Sequence, residues 1–144
     1  MKRAEKIVSK MINGDAFSQW LGINIIKVSE GFCKLEMRVR EEMTNGFNIT
    51  HGGISYSLAD SALAFAANSD GTQSLSIETS ISHTKKVLAG DTLIAETKEV
   101  SKTNDSAVYS ISITNQENTE VAKFKGKVYR TKKKWIIDKE KTNK

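Results

Sequence analysis

The strongest constraint on this chain is the stretch from Asn45 to Gly71, NGFNITHGGISYSLADSALAFAANSDG, which holds neither Lys nor Arg in a sequence with 22 of them. It begins with the loop residues Asn45, Gly46, Asn48 and Thr50 and passes through His51-Gly52-Gly53. From Ile54 to Ala67 it then places Ala, Leu, Ile, Phe and Tyr on every side at helical spacing. A helix that is apolar all round belongs inside a core. One ionisable residue, Asp60, interrupts it, in a row with Gly53, Tyr56, Leu63 and Ala67. An unpaired buried carboxylate is costly, and burial raises its pKa. Two explanations stand: pairing with a nearby Lys or backbone N–H, or a functional role.

The flanking segments read as strands. Ile23–Val28 and the cleanly alternating Phe32–Arg40 form a hairpin around Glu30-Gly31. After the helix, Thr72–His83 alternates Leu75, Ile77, Thr79 and Ile81 against Ser74, Ser76, Glu78 and Ser80. Thr92–Val100, Ala107–Asn115 and Glu120–Arg130 follow, joined by short turns at Ala89-Gly90-Asp91, Asn104-Asp105 and Glu117-Asn118, which implies an antiparallel meander. Residues 3–13 and the AFSQWLG segment behind Asp15 read as short helices. Five or six antiparallel strands with one apolar helix give an α+β fold, most simply an antiparallel sheet wrapped around one long buried helix: the hotdog arrangement. The expected organisation is N-terminal helices over 1–21, the wrapped domain over 22–130 and a basic tail over 131–144.

The net charge of +5 raises the question of nucleic acid. Residues 131–144 hold six Lys against Asp138 and Glu140, so the basicity is mostly a tail and not a face of the folded body. No run reaches the length of a spanning helix, and MKRAEKIVSKMIN lacks the apolar region of a signal peptide. Cys33 is the only cysteine. A single cysteine excludes an internal disulfide, and a cytoplasmic location is the expectation. His51 and His83 are the only histidines, which leaves a metal centre poorly supplied.

The chemistry concentrates at the helix start. The first N–H groups of a helix have no internal acceptor and sit at the positive end of its dipole. Glycine allows a ligand close to the backbone, so the Gly52 N–H is a candidate donor to an oxygen that develops negative charge. His51 beside it either donates a second hydrogen bond or fixes the loop. Asp60 lies eight residues further on, roughly 12 Å along a helix axis, too far for both to reach one carbonyl within a single chain. Two antiparallel copies of the helix across a two-fold axis remove that conflict. The expectation is a homodimer with shared sites, each using Asn45, His51 and Gly52 of one subunit and Asp60 of the other.

The set Asn45-Gly46, His51-Gly52-Gly53, Leu58-Ala59-Asp60 and Asn68-Ser69, followed by Ala89-Gly90-Asp91, resembles the hotdog-fold acyl-CoA thioesterases of the phenylacetate-degradation (PaaI-type) branch. The resemblance covers about residues 22–130. It implies hydrolysis of an acyl-CoA, aryl-acetyl or medium-chain, with no metal or bound cofactor. It also implies that Gly52 polarises the thioester carbonyl, with His51 supporting it. Asp60 of the partner is implied as general base or nucleophile, Asn45 as a holder of the site, and Ser76 as a hydroxyl that orients water. Gly53, Tyr56, Asn68, Lys85 and Lys86 are the implied substrate and coenzyme A contacts, with Lys85-Lys86 standing where relatives often read Arg-Pro. Lys is a point charge and not a planar fork. Tyr56 equally suits the core, Asn68 and Ser69 a helix C-cap, and Lys85-Lys86 a solvated turn. A non-catalytic acyl-CoA binder and an enoyl-CoA hydratase-type enzyme on the same fold stay open, as does a dimer of dimers.

Overall fold

The computed structural model describes residues 1–137. Helices α1 (Arg3–Asn13) and α2 (Ala16–Leu21) precede the hairpin β1 (Asn24–Ser29) and β2 (Phe32–Arg38). Helix α3 (Gly52–Asn68) follows a loop, and then come β3 (Thr72–His83), β4 (Thr92–Lys102), β5 (Ser106–Thr114) and β6 (Glu120–Lys134). The six strands form one sheet in the order β1-β2-β4-β5-β6-β3, with every pairing antiparallel. The meander holds for β4, β5 and β6, but β3 leaves it. It crosses to the far edge and pairs with β6, while β4 pairs with β2.

The sheet closes around α3 as the apolar run requires. Leu58, Ala59, Ala62, Leu63, Phe65 and Ala66 are buried against Leu35, Met37, Leu93, Tyr109, Ile111 and Phe124. Contact is close enough that Gly126 is needed beneath the helix. A Cβ there would stand 2.6 Å from Leu63 Cδ2, and Leu63 is fully buried. The helix is not covered all round, however. Gly53 is exposed, and Tyr56, Ser57, Asp60, Ser61 and Ala64 are half-buried. Their spacing makes a single open stripe along α3, and Asp60 lies in its middle. Leu63 and Ala67, expected in the same row, are buried.

Two expectations need correction. The alternation of β3 is broken by a bulge between Ser76 and Glu78, and an extra residue reverses the faces on either side of it. Ser76 is therefore paired with inward-facing Val128, and Leu75 with exposed Tyr129. Leu75 and Ile77 are 66% and 59% exposed rather than buried. The strand expected to stop at Arg130 continues to Lys134, with Thr72 opposite Lys134. The start of the expected tail is thus sheet, and Trp135 donates its main-chain N–H to Gly71 O at 2.8 Å. Residues 138–144 of that tail, including Asp138 and Glu140, lie outside the described residues.

Just past the end of α3, Asp70 ties three strands to the helix. Its Oδ2 accepts from Arg130 Nη1 at 2.7 Å and Lys102 Nζ at 3.2 Å, and its Oδ1 from the Thr72 N–H at 3.0 Å. Burial works to raise its pKa, but these donors outweigh it and hold the carboxyl below the usual carboxylate value. The stabilisation is therefore complete above the unfolded carboxylate pKa and is lost as pH falls through the lower folded one. Asp70→Asn, with a side chain only 9% exposed in the parent, is expected to cost about 3 kcal/mol in urea unfolding at neutral pH. The deficit relative to the parent shrinks in acid.

Candidate active site

His51 is the N-cap of α3, and its geometry decides which amide is free. Its Nδ1 accepts from the Gly53 N–H at 2.9 Å, and its main-chain carbonyl accepts from the Ile54 N–H at 2.9 Å. A ring nitrogen that accepts carries no proton, so in the neutral ring the N–H is on Nε2. The Gly52 N–H has no acceptor among the described residues. His51 thus fixes the helix start, and Gly53, expected as a substrate contact, has its own amide occupied. Gly52 is left as the unpaired donor at the positive end of the dipole.

His83, which the sequence reading did not place in the site, stands beside that amide. It ends β3 opposite inward-facing Ala122, and its Nε2 lies 3.2 Å from where a Gly52 Cβ would be. Only the register of β3 brings it there, so nothing local in the sequence signals it. Asn45 shapes the preceding loop: its Oδ1 accepts from the Phe47 N–H at 2.9 Å and the Ile49 N–H at 3.4 Å. Its amide nitrogen has no acceptor among the described residues. Lys85 and Lys86 are exposed on the loop that meets the α3 approach through Thr50 N–H to Val87 O at 2.7 Å.

Asp60 occupies the other half of the arrangement. Among the described residues it has neither ion pair nor hydrogen bond, so the pairing explanation for this carboxylate does not hold there. Burial pushes its pKa up. It opens onto a cleft of about 420 Å³ whose lining includes Leu63, Ser74, Leu75, Ser76 and Trp135. The β3 bulge turns Ser76 toward this side. Asn68 borders the same cleft but spends its amide on structure. Its Nδ2 donates to Ala64 O and Ser74 O, and its Oδ1 accepts from Ser74 N–H and Trp135 Nε1–H. Ser69 Oγ donates to Ser29 O and Ala66 O and accepts from Gly31 N–H, closing the helix end. Tyr56 hydrogen-bonds Thr79 Oγ1 and meets Phe124 edge-on at 5.3 Å, which places it between α3 and β3. Cys33 is inert: burial pushes its thiol up to about 12, and its Sγ donates to Ala62 O. No cluster of metal-ligating side chains occurs among the described residues.

The candidate residues therefore fall into two groups within one chain. Gly52, His51, His83 and Asn45 lie at the start of α3, and Asp60 and Ser76 lie about 12 Å along it. A free amide that can receive a developing oxyanion and a desolvated, unpartnered carboxylate are the two parts that acyl transfer to water requires.

A sheet wrapped on one buried helix, carrying these two groups on that helix, defines a hotdog-fold domain equipped for acyl chemistry. The model of the thioesterase superfamily matches residues 47–122, and the chain belongs to that superfamily. A putative esterase of Archaeoglobus fulgidus is 41% identical over 88% of this chain and 82% of its own. The acyl-coenzyme A thioesterase PaaI of Escherichia coli is 40% identical over 83% of this chain and 86% of its own. The solved structure of E. coli PaaI superposes with a TM-score of 0.90, covering 92% of this chain and 96% of that one. A Streptococcus mutans protein solved with acetyl-CoA bound superposes with a TM-score of 0.76 at 25% identity, over 78% of this chain and 91% of that one.

The raised pKa of Asp60 has a consequence for stability. A carboxyl whose folded pKa exceeds its unfolded one costs stability as pH rises above the unfolded value. Asp60→Asn is therefore expected to have a higher Tm than the parent at neutral pH and no advantage at pH 3, measured by thermal unfolding at both.

Proposed function

We propose that this protein is an acyl-CoA thioesterase, converting an acyl-CoA and water to a carboxylic acid and coenzyme A, in a homodimer whose two sites are each built from both subunits. The observation that carries the reading is Asp60: a half-buried carboxylate with no partner among the described residues, facing a cleft, on the helix whose first amide has no acceptor among them. Its fit with the thioesterase superfamily and with a PaaI relative at 40% identity supports the same chemistry. A binder alone would have no use for a carboxylate that destabilises the fold, and a hydratase would add water to an enoyl-CoA without releasing a thiol.

The thioester carbonyl oxygen sits on the Gly52 N–H of one subunit, with His51 holding that helix start. Asp60 of the partner takes a proton from a water molecule ordered by Ser76. The water oxygen bonds to the carbonyl carbon, and negative charge moves to the oxygen held by Gly52. Collapse of the tetrahedral intermediate breaks the C–S bond and releases the coenzyme A thiolate, a good leaving group. Lys85 and Lys86 offer charge to the phosphates of coenzyme A. No metal or resident cofactor takes part in this scheme. The lone cysteine and the coenzyme A substrate fit the cytoplasm.

The dimer reading rests on β3. As an edge strand it presents unpaired main-chain groups along its outer side, together with exposed Leu75 and Ile77. His83 and Gly52 lie at one end of β3, Ser76 and Asp60 toward the other. Antiparallel pairing of two copies of β3 brings opposite ends together, so each Asp60 approaches the other chain's Gly52. A further pairing of dimers is compatible with this arrangement.

Thiol release across alkyl- and aryl-CoA substrates tests the proposal. Asp60→Asn is expected to lower kcat by about 10²–10⁴-fold. In the parent, kcat/KM falls on the acid side as Asp60 is protonated, at a pH raised above the ordinary carboxylate value by burial. Parent-like turnover by Asp60→Asn would overturn the assignment.

A further inference from the structure

We propose that Trp135 is a length gauge for the acyl group, an inference that rests on the thioesterase reading of the Asp60 cleft. The cleft runs along one face of α3. Asp60, Ala64 and Asn68 line it at successive four-residue steps, with Leu63 between them, so it extends about 12 Å from the carboxylate toward the helix C-terminus. Among the described residues, Asp60 is its only charged lining residue. Its side walls are Leu63 and Val128, with Met11 reaching in from α1, Gln73, Ser74 and Ser76 along β3, and the largely exposed Leu75 at the rim. At the far end stands the indole of Trp135.

That indole is fixed and not merely adjacent. Its Nε1–H donates to Asn68 Oδ1 at 2.8 Å and its main-chain N–H to Gly71 O at 2.8 Å. The segment leading to it is tied to β3 as well, through Thr131 Oγ1 to Gln73 O at 2.7 Å and Lys134 Nζ to Thr72 Oγ1 at 2.8 Å. Asn68 is locked in turn by Ala64 O, Ser74 O and Ser74 N–H. It is therefore a positioning residue: it holds the tryptophan and leaves no polar atom for a ligand. A thioester with its carbonyl at Asp60 has a mostly apolar path for its tail, and the tail ends against a rigid aromatic wall. The substrates that fit are apolar acyl groups of medium length. Long chains collide with the indole, and short ones leave the cleft partly wet.

The experiment measures kcat/KM for butyryl-, octanoyl- and palmitoyl-CoA with the parent, Trp135→Ala, Trp135→Phe and Ala64→Leu. The parent is expected to prefer octanoyl-CoA. Trp135→Ala should raise the palmitoyl-to-butyryl ratio about tenfold or more, a difference of the size a few buried methylenes produce. Trp135→Phe should keep a profile close to that of the parent. Ala64→Leu, which narrows the cleft midway, should lower the octanoyl-to-butyryl ratio by a similar factor, and it tests the gauge even if Trp135→Ala fails to fold. Unchanged ratios in Ala64→Leu, or in a folded Trp135→Ala, would overturn the gauge while leaving the thioesterase reading intact. A parent that cleaves phenylacetyl-CoA but none of the three would overturn the gauge alone, and one that releases no thiol from any of the four would instead overturn the underlying reading.

Discussion

A carboxylate held partly out of water, with no group among the described residues to neutralise it, is the constraint on which the rest of this molecule depends. Water stabilises an ionised carboxyl far better than a cleft lined mostly by apolar groups does. Asp60 is accordingly a stronger base than a free carboxylate, and it is a standing cost to the fold. Asp70, ten residues along the same chain, shows the contrast. It too is withdrawn from solvent, but Arg130, Lys102 and the Thr72 amide satisfy it and its pKa moves the other way. One aspartate stabilises the end of the helix, and the other destabilises its middle. The difference lies entirely in their partners.

The helix start complements this. His51 takes up the second amide of α3 and leaves the first exposed. A capping side chain ordinarily quiets a helix end. Here it selects which donor stays unpaired and fixes its direction. Preorganisation of that kind is what makes a backbone amide effective on a developing oxyanion, because no reorganisation is needed when charge appears. The crowding of Gly52 by His83 gives a second reason for glycine at this position, beyond access for a ligand.

Much of this was legible in the sequence, and the reasons are specific. The apolar run marked α3, because only a core helix tolerates such composition. Asp60 stood out because it broke that run. The alternation of β2 and β6 gave their faces correctly. What escaped were features set by pairing between distant segments. The bulge in β3 has no local signature, and it decided that Ser76 lies opposite inward-facing Val128 while Leu75 stands largely exposed at the cleft rim. The placement of β3 beside β6 put His83 against Gly52, which no spacing along the chain encodes. Trp135 was hidden by the lysines around it: a run that composition assigns to a tail is strand as far as Lys134. Its anchor, Asn68, looked like a ligand contact or a C-cap, and its amide proved to be committed to Trp135 and the turn into β3.

The central claim is that the reactive groups of one site come from two chains, and subunit complementation tests it most directly. Gly52→Pro removes the amide donor at a helix position that accepts proline, and Asp60→Ala removes the base. Each homodimer alone is expected to be inactive. Unfolded together and refolded, the two chains form mixed dimers with one intact site and one site lacking both groups. Thiol release should return in that mixture and not in either parent pool. Mixed dimers that form but show no recovered activity would contradict the account, since sites confined to single chains cannot complement one another.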